Sequence, residues 1–165
     1  MGCVFCKIVA GTAPASIAYA DSTTVAFLDI NPMTPGHLLV VPRVHAESLA
    51  ELDAEAGAQL WRVGQRLATA LRRSPIRTDG VNFFVADGAA AGQEILHVHL
   101  HVIPRWKGDG VKIGYKPGRP SRADLDARAA DVQTALRALT PAPERRGQCW
   151  PGPPPESVPD SGPDL

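Results

Sequence analysis

The chain contains no run of 18 apolar residues, and its start, Met1-Gly2-Cys3-Val4-Phe5-Cys6-Lys7, lacks a basic stretch followed by a long apolar one. Neither a membrane-spanning helix nor a conventional secretory signal is expected. There is no surplus of either charge, since 17 Lys and Arg stand against 17 Asp and Glu, which argues against a bulk nucleic-acid partner. Cysteine is scarce: Cys3, Cys6 and Cys149 make an odd set that builds no disulfide framework and suits a reducing cytoplasm. What 165 residues at 44% hydrophobic and 21% charged do allow is one folded unit with a real core.

From Pro141 to Leu165, eight of 25 residues are proline. Such a segment supports neither helix nor ladder and reads as a disordered extension, leaving residues 1–140 as the folded part. Within it, residues 6–10 read as a short helix ended by Gly11. Short β-type runs follow at 16–20, 23–29 and 37–41, separated by Asp21-Ser22 and by the turn cluster Asn31-Pro32-Met33-Thr34-Pro35-Gly36. Asp53 caps a helix in which Leu60, Val63, Gly64, Leu67, Ala68 and Leu71 recur at spacings of three and four. Two more strands are expected at 80–86 and 96–103, and Ser121 with Asp124 opens a last helix. Strands clustered between few helices favour an α+β fold with an antiparallel sheet over strict βαβ alternation.

Three of the five histidines fall in His97-Val98-His99-Leu100-His101-Val102. At the period of two of an extended chain, His97, His99 and His101 share one face while the valines and leucine take the other. Two chemistries use such a row: a transition-metal site, or an imidazole nitrogen attacking phosphorus with its neighbours polarising the phosphate. The preceding loop, Asp87-Gly88-Ala89-Ala90-Ala91-Gly92-Gln93, favours the second. Its small residues let backbone N–H groups approach a phosphate, and Gln93 adds an uncharged donor. Few carboxylates stand nearby to complete a catalytic metal site.

Gly36-His37-Leu38-Leu39-Val40-Val41-Pro42, then Ala91-Gly92-Gln93, then His97-Val98-His99-Leu100-His101-Val102 together resemble the signatures of the histidine triad (HIT) family of nucleotide hydrolases and transferases. The likeness spans residues 3–110. It implies a sheet of about five strands with two main helices, joined into one continuous sheet across a homodimer. It implies that His99 attacks the α-phosphorus of a purine nucleotide conjugate, a dinucleoside polyphosphate or a phosphoramidate, and forms a covalent nucleotidyl-histidine. His101 then serves the scissile phosphate and leaving atom, His97 orients its neighbours, and His37 supports the triad from behind. By the same resemblance Asp29 binds the ribose hydroxyls, Gly92 and Gln93 meet the phosphate, and Phe5, Ile8, Phe27, Ile30 and Leu39 form an apolar base slot. Cys3, Cys6, His45 and His97 are the expected ligands of a structural zinc. The basic loop Arg105-Trp106-Lys107 is a further candidate for the leaving group. Two positions depart from the family pattern: Ala86 replaces an amide side chain, and Glu94 a hydroxyl one. Phosphorylase or nucleotidyltransferase chemistry through the same intermediate, and nucleotide binding without catalysis, are the rival readings.

Overall fold

The structure, a computed structural model, describes residues 2–112, 114 and 117–139. They divide into two units, Met1–Gly114 and Tyr115–Leu165. The proline-rich segment expected to be disordered lies outside the described residues.

In the first unit β1 (Ile17–Ala20), β2 (Thr24–Leu28), β3 (Leu38–Pro42), β4 (Gly80–Phe84) and β5 (Leu100–Arg105) form one antiparallel sheet in the order β1-β2-β3-β5-β4. Two helices accompany it, α1 (Val4–Val9) and α2 (Ala54–Arg73). The expected α+β class and five-stranded antiparallel sheet are what the chain adopts. The second unit's described element is α3 (Arg122–Ala138), opened by a reciprocal capping box between Ser121 and Asp124 and carrying no buried residue.

Strands β2 and β3 are apolar along almost their whole length because both of their faces are covered. Period two sends Val25, Phe27, Leu39 and Val41 to one side, where they enclose Phe5 of α1. It sends Ala26, Leu38 and Val40 to the other, where they join Val98, Leu100, Val102 and the apolar stripe of α2. Each fully buried valine, leucine or phenylalanine contributes about 1.5–3 kcal/mol through the water it no longer meets. α2 starts where the Asp53 carboxylate accepts from the N–H groups of Glu55 and Ala56 at 2.9 and 3.1 Å. Gly64 lets it settle closely on the sheet, since a Cβ there would stand 2.9 Å from Leu100 Cδ2 and 3.2 Å from the Phe83 ring.

Most ends shift by a residue or two from the sequence expectation, and three differences bear on the site. α1 begins at Val4, with Cys3 as its N-cap, and β4 stops at Phe84. β5 begins at Leu100, so His97, Val98 and His99 are an extended lead-in outside the ladder. The ladder with β3 closes at Val40 opposite Leu100. Beyond it, Pro42 has no N–H to give, its carbonyl is taken by the His97 ring, and the Val98 N–H turns to Ala46 O at 2.8 Å.

Candidate active site

The alternation of the histidine row survives although only His101 lies on a paired strand. Val98, Leu100 and Val102 are sunk in the α2 core. On the opposite side the Phe5 ring meets those of His97 and His99 in T-shaped contacts at centroid distances of 5.9 and 5.2 Å, and the His99 and His101 ring centroids are 4.8 Å apart. α1, which supplies Phe5, thus backs the nucleophile candidate directly.

Hydrogen bonds to main-chain groups fix which nitrogen of each ring carries the proton, because a carbonyl can only accept and an amide can only donate. His99 Nδ1 lies 2.7 Å from His97 O and must donate, leaving its Nε2 with a bare lone pair. His97 Nε2 lies 3.0 Å from Pro42 O and must donate, leaving its Nδ1 bare. The Met33 N–H donates to His37 Nδ1 at 3.2 Å, so His37 carries its proton on Nε2 and gives it to His101 Nδ1 at 2.9 Å. His101 therefore keeps its proton on Nε2. Neighbouring rings end with opposite polarity: His99 has a free lone pair and His101 an N–H.

Burial favours the uncharged form of His37, His97 and His101. His37 and His97 are pushed below the ordinary histidine range chiefly by desolvation, and His101 is pushed down to about 4 by burial and then by the neighbouring His99 and His37. Asp29 follows the end of β2. Its carboxylate accepts from the Asn31 N–H at 2.9 Å, and its other oxygen lies 3.4 Å from His37 Nδ1.

The loop before the triad requires a correction. A 3-10 turn over Ala89–Ala91 closes on Gly88 and Ala89, whose carbonyls take the N–H groups of Ala91, Gly92 and Gln93. The Gln93 amide is equally committed: its oxygen accepts from the Gly88 N–H at 2.7 Å, and its nitrogen donates to Glu47 O at 2.8 Å and to Ile95 O at 3.3 Å. Gln93 is thus a buried clamp on the loop, and the donors expected to reach a phosphate from Gly92 and Gln93 are spent internally. Gly88 and Gly92 take φ of 85° and 84°, the left-handed backbone that this tight turn needs. Asp87 ties the loop to the segment after β3 through the Leu49 N–H at 3.0 Å.

Among the expected base-slot residues, Phe5, Phe27 and Leu39 are buried in one cluster with Ile8 packed at its margin, whereas Ile30 stands 90% exposed in the turn after β2 and outside that cluster. Arg105 is not a free cation. Asp109 grips it at 2.6 and 3.0 Å, Asn82 Oδ1 and Val111 O accept further bonds, and Arg77 rather than a ligand faces the Trp106 ring. Ala86 is buried and Glu94 exposed.

The four expected metal ligands converge. Cys3 Sγ and Cys6 Sγ lie 3.5 and 3.6 Å from His97 Nδ1, Cys6 Sγ lies 3.3 Å from His45 Nδ1, and the two Nδ1 atoms are 3.2 Å apart. A tetrahedral zinc bonded at about 2.3 Å to sulfur and about 2.05 Å to nitrogen sets sulfur–nitrogen edges of about 3.5 Å and nitrogen–nitrogen edges of about 3.3 Å. The donor set fits that figure. The bare Nδ1 of His97 is the atom a cation needs, Glu47 stands 3.7 Å from the far nitrogen of His45, and without a cation burial and Cys3 hold the Cys6 thiol above its ordinary range.

Sequence reading missed the main-chain groups that set the tautomers, Met33 N–H, Pro42 O and His97 O, together with the clamps Glu47 O and Asp87. Only Asp87, in an Asp-Gly turn, left a sequence signal.

The model of the HIT domain matches residues 10–108. The protein named hit from Bacillus subtilis is 41% identical over 138 residues, covering 83% of this chain and 91% of that one. A zinc-bound histidine triad family protein from Mycobacterium smegmatis, solved by crystallography, is 43% identical with a TM-score of 0.66, over 82% of this chain and 98% of that one. The adenylylsulfatase HINT3 of Arabidopsis thaliana is 34% identical over 135 residues, 82% of this chain and 68% of its own.

Proposed function

The chain belongs to the HIT domain family, and on that premise we propose that it hydrolyses purine nucleotide conjugates at the α-phosphate through a covalent nucleotidyl-His99. The observation that carries the reading is the opposed polarity of the two rings. In the neutral ring, His99 Nε2 forms the bond to phosphorus while the bond to the leaving oxygen or nitrogen breaks. The ring then holds phosphorus on one nitrogen and a proton on the other and is positively charged; the His97 carbonyl already accepts that proton and stabilises the charge. His101 Nε2–H hydrogen-bonds the phosphate oxygens and departing atom, where negative charge grows. Water cleaves the intermediate and returns His99 to its starting state. The adenylylsulfatase activity named for the Arabidopsis relative supports a substrate built from a nucleotide and a second group.

In this reading Asp29 accepts the ribose hydroxyls, the Phe5, Ile8, Phe27 and Leu39 cluster backs the base, and the closed loop at Gly92 and Gln93 shapes the phosphate site. Cys3, Cys6, His45 and His97 hold a structural zinc, whose chemistry is to fix α1, and with it Phe5, behind His99. Two chains pair as a homodimer through β4, the sheet's edge, where Phe84 and the Trp61 ring packed on Phe83 are left half-exposed. Free thiols and the lack of a membrane-length apolar helix among the described residues suit the cytoplasm.

The test is to incubate the protein with a panel of dinucleoside polyphosphates, adenylyl sulfate and nucleoside phosphoramidates, quench in alkali, and search for nucleotide joined through phosphorus to nitrogen. The adduct is expected on His99 and absent from His99→Ala. Normal turnover by that variant would overturn the mechanism.

A further inference from the structure

Cys3 and Cys6 are separated by two residues across the start of α1, and both are half-exposed. Their sulfurs approach the same atom, His97 Nδ1, and lie within 4.8 Å of each other. The main chain between them is already a closed turn, with the Lys7 N–H on Cys3 O at 3.2 Å. A disulfide needs the sulfurs about 2.05 Å apart, so they must close by less than about 3 Å, a movement that rotation about the two Cα–Cβ bonds with a small adjustment of the first turn supplies. Among the described residues there is no other cysteine to compete, Cys149 lying outside them.

We propose that Cys3 and Cys6 form a reversible redox modification site: a low-molecular-weight disulfide oxidises the pair to an intrachain disulfide and thereby expels the cation held with His45 and His97. The proposal rests on the zinc reading above for its second half only. One protein thiolate attacks the reagent and releases one thiolate; the other attacks the resulting mixed disulfide at the protein sulfur and releases the second. The protein loses two electrons, the reagent gains them, and the two released thiolates take up protons from water. A sulfur bonded to sulfur no longer carries the negative charge that holds zinc, and two neutral imidazoles alone retain it poorly. The loop so closed spans very few residues, so the bond gains little from loop closure and remains open to reversal by thiols.

Full-length Cys149→Ser protein, with its metal content measured as purified, is exposed to excess oxidised glutathione and followed in parallel by a chromogenic zinc chelator and by intact and peptide mass. Expected are a loss of about 2 Da, a peptide linking Cys3 to Cys6, release of about one zinc per chain in step with that linkage, and reversal of both by a dithiol with added zinc. A glutathione adduct that persists on either cysteine, or thiols that stay reduced while zinc is retained, would overturn the proposal. If the protein holds no zinc but the pair closes, the thiol site stands and the zinc reading fails; if zinc is present and remains bound after the pair has closed, the zinc reading stands and the proposed expulsion fails.

Discussion

Two groups of metal-binding residue types lie on either flank of His99, and their resemblance ends at composition. In the Cys3, Cys6, His45 and His97 group, lone pairs converge on a common centre at the spacings of a tetrahedral ion. In the Asp29, His37 and His101 group the donors are equally close, but a proton lies between His37 Nε2 and His101 Nδ1 at 2.9 Å, so the polar atoms already satisfy one another. The difference comes from the main chain. Pro42 O withdraws the proton of His97 to the far side of its ring, leaving Nδ1 bare toward the sulfurs, whereas Met33 N–H drives the His37 proton toward His101. Under the proposed function, one flank would take a cation and the other would pass hydrogen-bond polarity to His99.

Five measurements break or sharpen this contrast. The largest effect is expected between the flanks: His99→Ala should lower kcat on the order of 10⁴-fold or more, the scale of losing an enzyme nucleophile, with zinc content unchanged. His101→Ala, which deletes an N–H aimed at growing charge, should lower kcat by about 10²–10³-fold in steady-state assays. The two supports behind the rings then separate the flanks. His37→Ala should lower kcat by about 10–100-fold at unaltered KM and unaltered zinc content, as when a group that fixes a neighbouring ring's tautomer is lost. Cys6→Ala should instead abolish bound zinc and lower the melting temperature; a variant that kept its metal would erase the distinction drawn above.

The smallest effect is on stability against pH. His101 titrates at about 4 in the folded chain against an ordinary 6.5. Between those values the unfolded chain binds a proton that the folded one does not. The contribution is fully present above about pH 6.5 and is lost as pH falls toward 4. His37 shifts in the same direction. Urea midpoints across this window should decline toward acid, and less steeply in His101→Asn.

Much of this was legible in the sequence where side chains do the work. The stripe in α2, its Asp53 cap, the Ser121–Asp124 box and the side-by-side histidines follow from periodicity and capping chemistry that any reader of residue types can apply. What escaped was set by groups every residue carries. Met33 N–H and Pro42 O have no signature, so the tautomers could not be read, and Pro42's missing N–H explains why His97 and His99 fall outside the ladder although their pattern is that of a strand. Gln93 looked like a ligand because a small-residue loop with an amide suits an anion equally well whether the amide faces outward or, as here, holds the loop shut. Ile30 is grouped with the apolar wall only by resemblance to the family's base slot; the turn that follows β2 holds it outside the buried cluster, at 90% exposure.

The acceptor that orients His99 is a carbonyl, the one part of residue 97 that no codon change removes. The two proposed duties of that residue are therefore separable: a chain without the sulfur ligands and the ring beside them would still offer His99 Nδ1 the same acceptor. Under the proposed function, reactivity would rest on the course of the chain, and the proposed metal ligands would be separable from it.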